Sequence, residues 1–175
     1  MEMLREKIVE LKEKIQKLCP KIEQEKTAVY FVTNRKPLSH NKAGKSDAYK
    51  RALQNEFNTK YSRLYENIPF VDEKLKTAIV YIHSLRPGVI PDVDNLSKPI
   101  VDAFTGVIYK DDSLVVKRSA TILPLSDFDF IVVDATDIPP KVLKDFDTYC
   151  ENMEENIVLF SVDKISLSEI KIGEF

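Results

Sequence analysis

The 175-residue chain predicts an α/β fold of the α+β type, a mixed sheet with helices packed on it. Three observations predict it. Segments that alternate with period two and segments with helical spacing follow one another as strand, helix, strand, helix, strand, strand. The apolar fraction, 43%, is that of an ordinary globular core. No apolar run approaches the roughly 18 residues that a membrane helix needs. The length fits one domain with appendages: an amphipathic helix over 1–25, a core over 26–135 and an acidic extension over 136–175.

The elements follow in order. Leu4, Ile8, Leu11, Ile15, Leu18 and Ile22 are spaced 4, 3, 4, 3, 4, an a/d seam. Glu10 with Lys14 and Glu13 with Lys17 add support one turn apart, and Pro20 bends or ends the helix. Such a seam fits pairing with a second copy or packing on the domain. Thr27–Thr33 (TAVYFVT) reads as a strand. Ser46 or Asp47 caps a helix running to about Tyr65, with Ala48, Ala52, Leu53, Phe57, Tyr61 and Leu64 on its apolar side. Leu75–Ser84 (LKTAIVYIHS) is a strand of central character. Asp94 is the expected N-cap of a helix over Asn95–Phe104, with Pro99 delaying or bending it. Leu114–Leu123 and Phe128–Ala135 read as an antiparallel pair around a turn at Pro124–Asp127. Beyond them come a helix over Val142–Met153 and short strands over Ile157–Val162 and Ile165–Ile172.

The chemistry concentrates between Asp92 and Asp112. Asp92, Asp94 and Asp112 supply hard carboxylate oxygens, and such a density of carboxylates is relieved by a divalent cation. Oxygen donors suit Mg²⁺ or Mn²⁺ or Ca²⁺, and not zinc or copper. Lys98 lies one helical turn beyond Asp94, and Asp94, Lys98 and Asp102 at i, i+4 and i+8 share a helix face. Carboxylates with a lysine alongside point to metal-assisted phosphodiester cleavage. Taken singly, each residue has a plainer role: Asp94 a cap, Lys98 with Asp102 a surface ion pair, Asp111-Asp112-Ser113 a turn. An EF-hand starting at Asp92 is excluded, because Ser97 and Ala103 stand where the loop needs Gly and Glu. The four glycines, Gly44, Gly88, Gly106 and Gly173, are too scattered for a phosphate-cradling loop.

The string DVDN, then Lys98, Asp102 and Ala103, followed by Tyr109-Lys110-Asp111-Asp112-Ser113, resembles the signature of the RusA family of Holliday-junction resolvases. The motif covers roughly residues 83–122, and a looser match in element order runs from about Thr27 to Pro124. The resemblance implies a RusA-like core and a metal-dependent DNA endonuclease, acting as a homodimer on four-way junctions in recombination or repair. It implies Asp92, Asp94, Lys98 and Asp112 as the catalytic centre. Mg²⁺ is the expected cofactor, with Mn²⁺ as the alternative. Asp111 competes with Asp112 as the ligand, because a one-residue slip in the turn exchanges them. Asn95 and Asp102 are expected to orient the ligands or Lys98 from behind.

The net charge of −2 conceals an asymmetry. From Leu125 onward, twelve acids face four bases, while the remainder carries 22 bases against 16 acids. The basic body favours a polyanionic partner despite the low overall charge. Arg35, Lys36, Lys42, Lys45, Lys50 and Arg51 crowd one stretch, and Arg86 is the only charge in the loop leading to Asp92; these are the expected DNA-binding residues. The plainer alternative is a solvated charge run. The acidic extension is the candidate surface for a protein partner. Cys19 and Cys150 lack metal-ligand spacing, which fits a reduced, cytoplasmic setting, and the charged N-terminus lacks the apolar stretch of a signal peptide. Competing readings are a catalytically weak or inactive DNA-binding or assembly protein acting through the appendages, and a phosphohydrolase of a smaller nucleotide.

Overall fold

Among the described residues, alternating β-branched and aromatic residues make four strands, and a mixed sheet results. The structure, a computed structural model, describes residues 28–38, 46–84, 92–125 and 134–165. The strands are β1 (Val29–Thr33), β2 (Leu75–His83), β3 (Val115–Pro124) and β4 (Asn156–Lys164). The helices are α1 (Ser46–Lys60), α2 (Val93–Ala103) and α3 (Pro140–Glu151). The sheet order is β1-β4-β2-β3. β4 runs antiparallel to both β1 and β2, and β2 runs parallel to β3. The expected class, helices on a mixed sheet, is the one observed.

The register explains the core. Phe31 lies opposite Phe160, Phe160 opposite Ile79, and Ile79 opposite Ala120, so one row crosses the whole sheet on one face. Phe31, Phe160 and Ile79 are buried. Phe31 meets Phe57 and Phe104 edge-on at 6.1 and 5.2 Å, and Phe104 stacks on Phe160 at 5.0 Å. Those contacts seat α1 and the end of α2 on this face through geometries that aromatic quadrupoles favour. On the other face Val32, Ile157 and Leu159 are buried, and α3 packs on β1 and β4. The Tyr61 hydroxyl ties α1 to α3 by donating to Asp145 Oδ2 at 2.7 Å. β1 is an edge strand, and the Tyr65 hydroxyl satisfies its outward backbone, accepting from Tyr30 N–H and donating to Tyr30 O, both at 2.9 Å.

Several expectations are corrected. The first helix stops at Lys60, and a 3₁₀ turn over Ser62–Leu64 replaces its expected last turn. That turn lets Tyr61 and Tyr65 face α3 and the β1 edge. β3 pairs with β2, in parallel. Of its expected antiparallel partner, Phe128–Val133 lies outside the described residues, and Asp134 and Ala135 are not in a strand. Residues 136–175 read from sequence as an extension, yet β4 is an inner strand between β1 and β2. Its run Ile157–Phe160 is buried on both faces, which is why it reads as a continuous apolar stretch. The amphipathic helix over 1–25 and the strand expected over Ile165–Ile172, beyond its first residue, also lie outside the described residues.

Candidate active site

Asp92, Asp94, Lys98 and Asp102 are carried by α2. The helix begins at Val93 with Asp92 as its N-cap, earlier than the expected Asp94 cap and Asn95 start. The Asp92 carbonyl accepts the first helical bond, from Leu96 N–H at 3.0 Å, while its side chain makes no capping bond. Asp94 therefore sits in the first turn, where the helix dipole favours negative charge. α2 does not start late at Pro99; it runs through it. Proline lacks the N–H that would reach the carbonyl of Asn95, a half-buried residue to which water has access. Leu96, Ile100, Val101 and Ala103 are buried against the domain, leaving Asp94 and Lys98 exposed and Asp102 half-buried on the opposite side.

Lys98 Nζ lies 3.3 Å from Asp102 Oδ2. Lys50, from α1, approaches the same carboxylate at 4.0 Å. The Gln54 side-chain amide, one turn along α1, donates to the Ala103 carbonyl at 2.8 Å. The two helices are thus joined at adjacent points beside the candidate lysine.

The second aspartate pair is placed by the turn after α2. Gly106 adopts φ +78°, a left-handed conformation that a side chain disfavours, and its N–H donates to the Tyr109 carbonyl at 2.7 Å. Tyr109 is fully buried and its hydroxyl donates to the Val101 carbonyl. Phe70 fastens the chain on the other side, donating to the Ile108 carbonyl at 2.9 Å and accepting from Lys110 N–H at 2.8 Å. The chain then enters a 3₁₀ turn over Asp112–Leu114. Asp111 caps that turn by accepting from Ser113 N–H at 2.8 Å, and the Ser113 bonds hold its carboxyl below the ordinary carboxylate range. Burial pushes the Tyr109 hydroxyl up; Arg118 opposes this, and Asp102 and Asp112 add to it.

Asp92, Asp94, Asp111 and Asp112 are all exposed. Their oxygen chemistry fits a hard divalent cation. Among the described residues, however, no three carboxylate, histidine or cysteine groups are gathered closely enough to hold a metal ion. α2 and the turn bring Lys98 to Asp102, and they do not bring the three candidate ligands into one cluster. Among the expected DNA-binding residues, Arg35 is engaged through Nε with Glu56 at 2.8 Å, and Lys50 with Asp102. Lys36 and Arg51 are exposed, while Lys42, Lys45 and Arg86 lie outside the described residues. Sequence reasoning passed over Glu56 and Arg118. Glu56, with a side chain only 8% exposed, accepts from Thr33 Oγ1 at 2.9 Å, Arg35 Nε at 2.8 Å and Lys60 Nζ at 2.8 Å. The only signal for it is Glu56–Lys60 spacing on α1. Arg118 has no local signal, because the parallel register opposite Thr77 is what sets it on the α2 side of the sheet.

Residues 20–127 match the protein-family model described as Endodeoxyribonuclease RusA. No curated protein matches the chain. The matched span takes in β1, β2, β3, α2 and both aspartate segments, while α3 and β4 follow it.

Proposed function

This chain belongs to the RusA endodeoxyribonuclease family, and on that premise we propose that it resolves four-way DNA junctions by metal-dependent hydrolysis, in recombination and repair. The observation that carries the reading is α2 itself: Asp92 and Asp94 at its N-terminus, and Lys98 one turn on beside Asp102. Asp92, Asp94 and Asp112 would hold Mg²⁺, or Mn²⁺ in its place. When bound, the ion supplies charge that polarises the phosphate and acidifies a water. Lys98, with its side chain 46% exposed, is free to swing toward a phosphate oxygen and stabilise developing charge. Asp102 keeps its ammonium near the helix surface, and Asn95 is a candidate to orient Asp94. Asp112 is the better ligand of the pair, because Asp111 spends its carboxylate on the turn.

Arg35, Lys36, Lys42, Lys45, Lys50, Arg51 and Arg86 are the proposed phosphate contacts. A homodimer would present two sites to a two-fold symmetric junction. The nuclease part spans 26–135, and residues 136–165 complete its sheet; the acidic residues of α3 are the candidate contact for a protein partner. No helix among the described residues is long and apolar enough to cross a membrane. Among the described residues Cys150 forms no disulfide, and we place the proposed action in the reducing cytoplasm.

The test is cleavage of a labelled four-way junction beside linear duplex, with wild type and Asp94→Asn, each in Mg²⁺ and in EDTA. Paired nicks near the branch, lost in the variant and in EDTA, are the expected result. A second reading, a DNA-binding protein of weak activity, is favoured by the separation of the three carboxylates. Junction binding without nicks would select it.

A further inference from the structure

Lys50 is the residue that the reading above leaves in the wrong place. As one of a run of bases it is a peripheral phosphate grip. In the fold it leaves α1 and shares the Asp102 carboxylate with Lys98, at 4.0 and 3.3 Å respectively. The Asp102 side chain is 20% exposed, that of Lys50 32% and that of Lys98 46%, so Asp102 is the most buried of the three. The contact is braced: Gln54, on the same face of α1 one turn later, donates to the Ala103 carbonyl at 2.8 Å. Two ammonium groups around one carboxylate leave a surplus positive charge facing solvent, next to the lysine assigned to the reacting phosphate. An exposed pair on a single helix would be worth little. A carboxylate that fixes two cations from two helices sets their separation, and separation is what an anion site requires.

We propose that Lys50 contacts DNA phosphate at the reaction centre, together with Lys98, and that Asp102 is the positioning residue which holds both ammonium groups for it. The proposal rests on the nuclease reading. In free protein Asp102 balances part of the two charges. When the DNA backbone arrives, a phosphate oxygen takes Lys50 from the solvent side, while Asp102 retains its hold from below. Removing Asp102 therefore has two opposite consequences. It frees two cations, which tightens binding to any phosphate backbone. It also loses their geometry, which slows cleavage.

Single-turnover cleavage at saturating four-way junction, and junction binding in EDTA, are measured for wild type, Lys50→Ala, Asp102→Asn, Asp102→Glu and the Lys50→Ala/Asp102→Asn double variant. Thermal unfolding of each variant establishes that it is folded. Lys50→Ala should slow the saturated step about tenfold or more, as the loss of a group that stabilises the transition state does. Asp102→Asn should bind more tightly yet cleave more slowly, and Asp102→Glu should recover part of the rate. In the binding cycle, Lys50→Ala should abolish much of the gain produced by Asp102→Asn. An unchanged saturated rate in Lys50→Ala, with weaker binding alone, would return Lys50 to the periphery. Strict additivity in the binding cycle would break its link to Asp102. If wild type cleaves nothing, the nuclease reading fails, and the binding cycle still decides whether the two residues act together.

Discussion

Single side chains in this protein do work that their neighbours in sequence do not announce. Glu56 gathers Thr33 and Arg35 from the end of β1 and Lys60 from its own helix, so Arg35 serves the fold as well as any phosphate. Glu73 is the clearest case of a titrating group tied to folding. Its ion pair with Lys164, at 3.0 Å, and the backbone amides of its own turn hold its carboxyl down at about 2, from an ordinary value of 4.5. A carboxylate whose folded value is depressed adds stability above its unfolded value, and that stability disappears as the pH falls through the folded one. Glu73→Gln should therefore melt below wild type at neutral pH, with the gap closing between 4.5 and about 2. Thermal unfolding across that range checks it; a gap constant with pH would mean that the pair contributes nothing through charge. At the residue scale the proposal favours Asp112 over Asp111 as the ligand, since one oxygen of Asp111 already accepts from Ser113 N–H.

Among the elements, α2 connects packing to chemistry. Its buried side is continuous with Phe104, which lies edge-on to Phe31 and Phe57 and stacks on Phe160. The candidate residues on its outer side are held only as firmly as that anchor holds the helix. Phe104→Ala should cost about 3–5 kcal/mol, the range for removing a fully buried aromatic. Denaturant unfolding gives the value, and a loss below about 1 kcal/mol would show that the site collapses around the gap and that α2 is anchored elsewhere. The helix start was misread for a local reason. Asp92 and Asp94 are both good caps, and sequence offers no means of choosing between them when the side chain of the true cap makes no bond. Of its two expected effects, Pro99 did not delay the start: it lies within the helix, and Asn95, whose carbonyl loses its helical donor, is a half-buried residue.

The whole molecule depends on β4. It lies between β1 and β2, after the span that matches the family, and both faces of its run Ile157–Phe160 are covered. Truncation after Ala135 should therefore abolish the cooperative fold. Circular dichroism and thermal unfolding of the truncated chain test this, and a folded truncation with a sharp transition would overturn it. Electrostatics belong to this scale too. On the proposed reading, the bases that outnumber acids before Leu125 would make DNA binding depend on counterion release. Replacing Lys42 and Lys45 by Ala should flatten the salt dependence of junction binding by a slope of roughly 2. No change of slope would mean that this stretch does not touch phosphates.

Sequence by itself determined the fold class, the family and the order of the candidate residues. Period-two and period-3.6 patterns and the D-x-D, lysine and paired-aspartate spacing are local properties that survive without tertiary context. Only the tertiary structure decided what is non-local. It inserted β4 into the sheet, set β3 parallel to β2, brought Lys50 from α1 to Asp102 on α2, and set Arg118 opposite Thr77. Each of these joins residues far apart in the chain, through hydrogen-bond register or the meeting of two helices. The physical reason is that register and docking are fixed by the burial of the aromatic core as a unit. No single segment of the chain contains that information.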